Sequence, residues 1–262
     1  MDLGIRGRKA IVAGASAGLG KSSALALARE GVEVLISARN KDRLVAAAAE
    51  IEDKAKIPVK WVVADHSTPE GRARLLASLP EPDILVITCS PPKWTPDFRE
   101  VTVDDWQQAL ATGMIGPIEL MKSTIDGMRS RKWGRIVNIM TLAARAPIDF
   151  RLLSGPPRSG LANYTVAMAR SLAKDNVILN NILPGMHHTG GIRDRFRADR
   201  PGNTDSYEAE VQKIIDILRI PAGRFGEADD VGAFCALFCS EFANYTIGQS
   251  LIIDGGVHNS LF

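Results

Sequence analysis

A doubly wound α/β fold around a seven-stranded parallel sheet is what this sequence predicts. Three features carry that expectation. Short apolar runs alternate with longer amphipathic segments along nearly the whole chain, the rhythm of repeated βαβ units. The runs are apolar almost continuously rather than at every second residue, as befits strands covered on both faces. The first run ends in a glycine-rich turn that opens directly into a helical segment. Right-handed crossovers then place helices on both faces of the sheet, giving a three-layer sandwich.

The elements follow in order. KAIVAG (9–14) is the first strand and GKSSALALARE (20–30) its crossover helix. VEVLIS (32–37) leads to DRLVAAAAEIE (42–52), and VKWVVA (59–64) to EGRARLLASL (70–79). DILVIT (83–88) precedes a helix opening at DDWQQAL (104–110), and GRIVNI (134–139) precedes SGLANYTVAMARSLAKD (159–175). VILNNIL (177–183) and QSLIID (249–254) complete the seven strands. The stretch 186–222 breaks the rhythm: it is polar and rich in Arg, Asp and Gly, yet EAEVQKIIDILRI (208–220) has a helical apolar face. Such an excursion at the carboxyl end of a strand predicts a lid over a ligand crevice, inserted in one domain spanning 1–262.

Composition narrows the function classes. The 262 residues, 45% of them hydrophobic, suffice for one large core. Thirty-two Lys and Arg against 30 Asp and Glu leave a net charge of +2, with no dense basic patch to favour nucleic acid. No apolar run approaches the ~20 residues of a membrane span, and the start MDLGIRGRKAIV lacks an export signal. A soluble, cytoplasmic protein is expected, without a membrane partner. Cys89, Cys235 and Cys239 are too few and too scattered for a disulfide framework. Cys235 and Cys239 share a helical face but have no neighbouring ligands, so buried thiols are expected and no metal site.

The turn Gly14-Ala15-Ser16-Ala17-Gly18-Leu19-Gly20 follows a strand and opens a helix. Glycines let the backbone turn sharply and approach a pyrophosphate, while the helix start offers free N–H groups and its positive dipole end. Gly14, Ser16, Gly18, Leu19 and Gly20 are therefore expected cofactor contacts. The second strand ends Ser37-Ala38-Arg39-Asn40. No carboxylate is present there to repel a 2′-phosphate, and Arg39 supplies a planar cation, so NADP(H) is expected over NAD(H). Asp65 closes the third strand, placed either to accept from the adenine amino group or to cap the next helix; His66 beside it joins the expected cofactor contacts.

GASAGLG and the later motifs together resemble the short-chain dehydrogenase/reductase family over nearly the whole chain. NILPG (181–185) followed by Thr189 resembles the family's Pro-Gly-x-x-x-Thr segment beside the nicotinamide, which implies cofactor roles for Pro184, Gly185 and Thr189. Gly223-Arg224-Phe225-Gly226-Glu227 and Gly248-Gln249 with Asp254-Gly255-Gly256 resemble its C-terminal signatures. The resemblance implies a Rossmann-like core and hydride transfer between a nicotinamide and a small carbonyl or alcohol. It also implies a homo-tetramer or dimer formed through helices near 104–131 and 157–175.

The same register places different residues at the family's reaction centre. Its Asn-Asn-Ala-Gly falls on Thr88-Cys89-Ser90-Pro91, its catalytic Asn on Gly113, its Ser on Thr141, its Tyr on Ser154 and its Lys on Arg158. A phenol, with a pKa near ~10, is within reach of tuning, whereas an alkyl hydroxyl is a far weaker acid. Arginine holds its proton and is a poor relay, but it can bind the nicotinamide ribose or stabilise an oxyanion. Thr141, Ser154 and Arg158 are the catalytic candidates, Arg158 doubling as a cofactor contact. Were Ser154 a helix N-cap, its hydroxyl would face Pro156 and Pro157, which have no N–H. The helix is therefore expected to start near Pro157, with the Ser154 hydroxyl free. His187 and His188 are either proton donors at the nicotinamide end or surface residues of the lid, and Tyr164 is read as a packing residue. The substrate crevice is expected along 141–149, 91–94 and the lid. Three functions stay open: an NADP-dependent oxidoreductase with an atypical proton route, a non-redox lyase or isomerase on the same fold, and a catalytically silent NADP(H)-binding protein.

Overall fold

Seven strands form one parallel sheet in the order β3-β2-β1-β4-β5-β6-β9. They are β1 (Lys9–Ala13), β2 (Glu33–Ala38), β3 (Val59–Val63), β4 (Ile84–Thr88), β5 (Gly134–Ile139), β6 (Val177–Pro184) and β9 (Ser250–Ile253). This computed structural model describes residues 1–198 and 206–261. Each strand lies where an apolar run predicts it; the central strands are covered on both faces and so need apolar side chains at successive positions, whereas the edge strand β3 exposes Lys60 and Trp61. Order reverses between β1 and β4, so a crevice opens beyond their carboxyl ends, the place where doubly wound sheets bind ligands.

Helices α1 (Gly18–Arg29), α2 (Lys41–Ala55) and α9 (Ala228–Phe238) belong to one face, where Leu27, Leu44, Val231 and Cys235 pack on Val12, Ile36 and Val137. Helices α3 (Pro69–Ser78), α4 (Val103–Leu110), α5 (Gly116–Ser130) and α6 (Gly155–Leu172) follow the intervening strands. From α3, α5 and α6, Leu75, Leu120, Ile125 and Leu161 join the second core, and Tyr164 packs against it as expected. Local chemistry sets the boundaries. Asn40 accepts from Arg43 N at the start of α2, Thr68 accepts from Gly71 N at the start of α3, and Thr102 with Asp105 forms a capping box on α4.

The excursion after β6 holds β7 (His187–His188), which pairs with β8 (Gly226–Glu227), together with α7 (Gly190–Ala198) and α8 (Tyr207–Leu218). Phe196, Val211, Ile214, Ile215, Ile220 and Phe225 give it a small core of its own. Residues 199–205 of the predicted lid lie outside the described residues. Among the described residues no helix is long and apolar enough to cross a membrane.

One expectation is corrected. Helix α6 starts at Gly155, two residues before the predicted Pro157, with Ser154 as N-cap. The first N–H groups of a helix have no intrahelical acceptor, and proline's φ is already helical, so Pro156 and Pro157 fit the first turn without losing a bond. The Ser154 side chain makes no cap hydrogen bond, as expected, but its hydroxyl is not free: Oγ accepts from Arg158 Nη1 at 3.4 Å.

On the opposite side of the sheet from α6, Arg135 is fully buried. Its guanidinium donates to Gly134 O (2.9 Å), Asn176 O (3.1 Å), Ser240 O (3.2 Å) and Asn244 Oδ1, with Glu241 Oε2 at 3.7 Å. It also lies 4.4 Å from the centroid of the Trp133 ring, which Arg8 approaches at 3.9 Å. This cluster ties the C-terminal segment before β9 to β5.

Candidate active site

A cavity of about 530 Å³ opens at the carboxyl ends of β1 and β4. Its floor is the glycine turn. Gly14 has φ +81°, and a Cβ there would lie 2.2 Å from Thr88 O. A Cβ on Gly20 would lie 2.5 Å from Gly14 O, and one on Gly18 3.1 Å from Thr189 Cγ2. The backbone alone fits where β1 meets β4, leaving the start of α1 open to a ligand. Ala17 provides no side-chain cap, and the first turn of α1 carries no acidic residue. Its free N–H groups and dipole therefore suit a pyrophosphate.

Gly14, Ser16, Gly18, Leu19, Gly20, Pro184, Gly185 and Thr189 all line this one cavity, as do Thr141, Ser154 and Arg158. Arg39, Asp65 and His66 do not. The Arg39 side chain is 61% exposed, with Nη1 3.9 Å from Asp65 Oδ2. Asp65 accepts from Ser67 N (2.9 Å) and Ser67 Oγ (2.7 Å), while Thr68 caps α3. Burial alone would raise the Asp65 carboxyl, but the Ser67 hydrogen bonds and Arg39 outweigh it and hold its pKa low. His66 is buried, its Nε2 has no hydrogen-bond partner among the described residues, and desolvation pushes its pKa down.

At the other end of the cavity, Thr141 follows β5, and its Oγ1 accepts from Ala143 N at 3.3 Å. Ser154 is 1% exposed and Arg158 4%. Arg158 Nη1 donates to Ser154 O (3.2 Å) and to Ser154 Oγ (3.4 Å), and Nη2 donates to Cys89 Sγ (2.8 Å). Among the described residues no carboxylate lies within ion-pair distance of Arg158. Gly113 sits in a π-helical turn, Ala111–Ile115, which joins α4 to α5. A Cβ at 113 would lie 3.3 Å from Pro157 Cβ and 3.6 Å from Arg158 Nη1, so the guanidinium packs over a position with no side chain.

Residues 14–258 match the profile of the family described as enoyl-(acyl carrier protein) reductase. The chain belongs to the short-chain dehydrogenase/reductase family. Among similar members, 3-oxoacyl-[acyl-carrier-protein] reductase of Aquifex aeolicus is 26% identical over 98% of this chain and 100% of its own. Acetoacetyl-CoA reductase of Shinella zoogloeoides is 28% identical over 95% and 98%. Among solved structures, L-sorbose reductase from Gluconobacter frateurii, complexed with NADPH and L-sorbose, superimposes with a TM-score of 0.93 at 28% identity, covering both chains fully.

In this short-chain dehydrogenase/reductase the end of the cavity beside Thr141 and Ser154 has an apolar wall. Met140, Leu142, Ile148, Phe150 and Trp94 line it, the last two rings 5.3 Å apart. Both histidines are packed rather than loose on a loop. His187 is buried, its Nδ1 lies 3.3 Å from Gly185 O, and desolvation pushes its pKa down. His188 Nδ1 lies 2.8 Å from the Tyr207 hydroxyl, beside the Phe225 ring.

Several lining residues were not singled out from sequence. Lys21 meets Glu50 at 2.6 Å, and Arg43 meets Asp194 of α7 at 3.2 Å; all four line the cavity. Cys89 was noted only as a departure from the family pattern, not as the partner of Arg158. The available signal for Arg43 was its place in the first turn after β2, at the ligand-binding edge of the sheet.

Proposed function

We propose that this chain is an NADP(H)-dependent oxidoreductase acting on a carbonyl or alcohol, with a proton route built from Ser154, Arg158 and Thr141. One observation carries the proposal: the side-chain-free cradle at the start of α1 and the Ser154–Arg158 pair share a single cavity. The bound cofactor supplies or takes up the hydride.

The free amides of α1 hold the pyrophosphate, and Pro184, Gly185 and Thr189 flank the nicotinamide end. Arg39, exposed after β2, and Arg43 in the cavity wall are the cations for the 2′-phosphate, which selects NADP(H) over NAD(H). Asp65 and His66 lie toward the adenine side, and Arg158 can reach the nicotinamide ribose. The NADPH complex of the sorbose reductase supports this assignment. The carbonyl substrates named for the 3-oxoacyl and acetoacetyl-CoA reductases support the reaction class.

The proton steps follow from hydrogen-bond direction. Arg158 donates to Ser154 Oγ, so the serine proton remains available to a substrate oxygen. The serine hydroxyl and the alkoxide it would protonate are both alkyl oxygens, so the transfer is close to balanced. The adjacent guanidinium steadies the negative charge, and water restores the proton. Thr141 accepts from Ala143 N and keeps its own proton to orient the carbonyl. The described parts of this excursion, 186–198 and 206–222, serve as a lid: Ile192, Asp194, Ile214 and Leu218 reach the cavity from α7 and α8. We further assign the protein to the cytoplasm as a dimer or tetramer. Exposed Val103, Ile115 and Val166, on and beside α4 to α6, fit such an interface.

Fluorescence titration with NADPH and NADH, followed by NADPH oxidation against a carbonyl panel, tests the proposal. Tighter binding of NADPH with turnover is the expected result. Binding without turnover leaves a silent NADP(H)-binding protein. Failure to bind either nucleotide removes the redox assignment and turns attention to lyase or isomerase chemistry.

A further inference from the structure

The cavity lining is unevenly compensated in charge. Among the described residues its carboxylates are Glu50 and Asp194, which face Lys21 and Arg43 beside the glycine cradle. Among the described residues the reacting end has no lining carboxylate, yet two arginines line it, Arg151 and Arg158, and Arg158 is 96% buried and bonded to a sulfur, a carbonyl and a hydroxyl. A cation this deeply buried without an anion is costly, and the apolar wall around it strengthens any charge that arrives. A bound pyrophosphate does not answer it, because the amide cradle for that group lies at the start of α1. Ribose hydroxyls are neutral and leave the charge uncompensated.

We infer that Arg158 is the seat of a substrate carboxylate, and that the substrate is a 2-oxo acid. The position of the carboxylate follows from the pairing of Ser154 and Arg158. The two polar groups adjoin, with Oγ and Nη1 3.4 Å apart. A carbonyl oxygen held by Ser154 therefore brings the substituent on the very next carbon to the guanidinium, where a carboxylate accepts two charge-assisted bonds. That adjacency favours a carboxylate on the neighbouring carbon over one further along the chain. Met140, Ile148, Phe150 and Trp94 receive an apolar side chain on the other side of the carbonyl. In the reduction the carbonyl carbon gains the hydride from NADPH, and its oxygen gains the Ser154 proton, which water replaces. The products are the 2-hydroxy carboxylate and NADP⁺. This inference rests on the function proposed above, so its test separates binding from turnover.

The probes are phenylpyruvate and phenylacetone, which differ only in a carboxylate replaced by a methyl group. Calorimetry on the full-length protein, with and without saturating NADP⁺, measures their binding where no reduction can occur. Phenylpyruvate is expected to bind roughly 10- to 100-fold more tightly, the range for a charge-assisted hydrogen-bond pair. Arg158→Met should erase that ratio and Arg158→Lys should keep part of it. Equal binding of the two compounds, no binding of phenylpyruvate in either state, or a ratio untouched by Arg158→Met overturns the inference. Arg151 lines the same cavity, so Arg151→Met is the control: it should leave the ratio intact, and a ratio lost in Arg151→Met overturns the assignment to Arg158 even where Arg158→Met fails to fold. NADPH oxidation is scored separately: a high ratio without turnover upholds the carboxylate seat and removes only the redox assignment.

Discussion

Two buried arginines occupy opposite regions of this molecule and have opposite surroundings. Arg135, fully buried beside β5, donates to three backbone carbonyls and the Asn244 amide oxygen, faces the Trp133 ring, and has Glu241 at 3.7 Å. Arg158, nearly as buried at the start of α6, makes three bonds, one to sulfur, and meets no carboxylate among the described residues. Burial alone therefore does not separate a structural arginine from one proposed to act on a ligand. What separates them is whether the acceptor set closes around the guanidinium, as at Arg135, or stays open toward a cavity, as at Arg158.

That contrast is open to attack, and the largest effect is expected at Arg135. Arg135→Met strands several buried carbonyls and should cost about 3–5 kcal/mol, a fall in Tm of roughly 6–20 °C by thermal unfolding. An unchanged Tm would mean that the closed acceptor set is dispensable. Arg158→Met should do the reverse. NADPH-dependent turnover should drop about 100-fold in steady-state assays, while stability should change by about 1 kcal/mol or less because an uncompensated charge is removed with its bonds. A Tm loss equal to that of Arg135→Met would erase the distinction.

Gly14→Ala probes the cavity without touching either arginine. A Cβ 2.2 Å from Thr88 O, at φ +81°, forces the turn away from β4. NADPH affinity should weaken about 10- to 100-fold in fluorescence titration, and retained affinity would separate the cradle from the cofactor.

The smallest effect concerns pH. Desolvation lowers the pKa of both His66 and His187. Below the ordinary histidine value of about 6.5 the unfolded chain then binds more protons than the folded one, so stability falls as pH falls through that window. Tm should drop by a few degrees between pH 7 and pH 5.5, above the range where carboxylates titrate. The double variant His66→Gln, His187→Gln should flatten that slope, and an unaltered slope would assign it elsewhere.

The sheet was legible because each central strand is a continuous apolar run, a pattern that needs no knowledge of its neighbours. The glycine cradle was legible for a similar reason: its constraint lies within seven consecutive residues. The start of α6 was misplaced because the preference of residues before proline was weighed above the fact that first-turn N–H groups need no partner. The partnership of Cys89 with Arg158 joins residues 69 positions apart, and the Arg43–Asp194 pair joins residues 151 apart. Neither is written in local pattern. The burial of His187 depends on Gly226, where a Cβ would lie 2.6 Å from His187 Cδ2. His187, open in the sequence between a proton donor and a surface residue of the lid, is thus enclosed beside a glycine from a distant signature, through the β7–β8 pairing.

The contact between Gly113 and the guanidinium also orders any attempt to rebuild this pocket. With Pro157 Cβ 3.3 Å and Arg158 Nη1 3.6 Å from a would-be Cβ, the Cβ itself fits with a slight shift, and it is the further atoms of an amide side chain at 113 that compete with the guanidinium for space. Trimming residue 158 first vacates the volume, and enlarging 113 can follow; the reverse order passes through a crowded intermediate. Laboratory evolution toward a bulkier residue at 113 should therefore collect its substitutions in that sequence, with the second change silent or harmful until the first is in place.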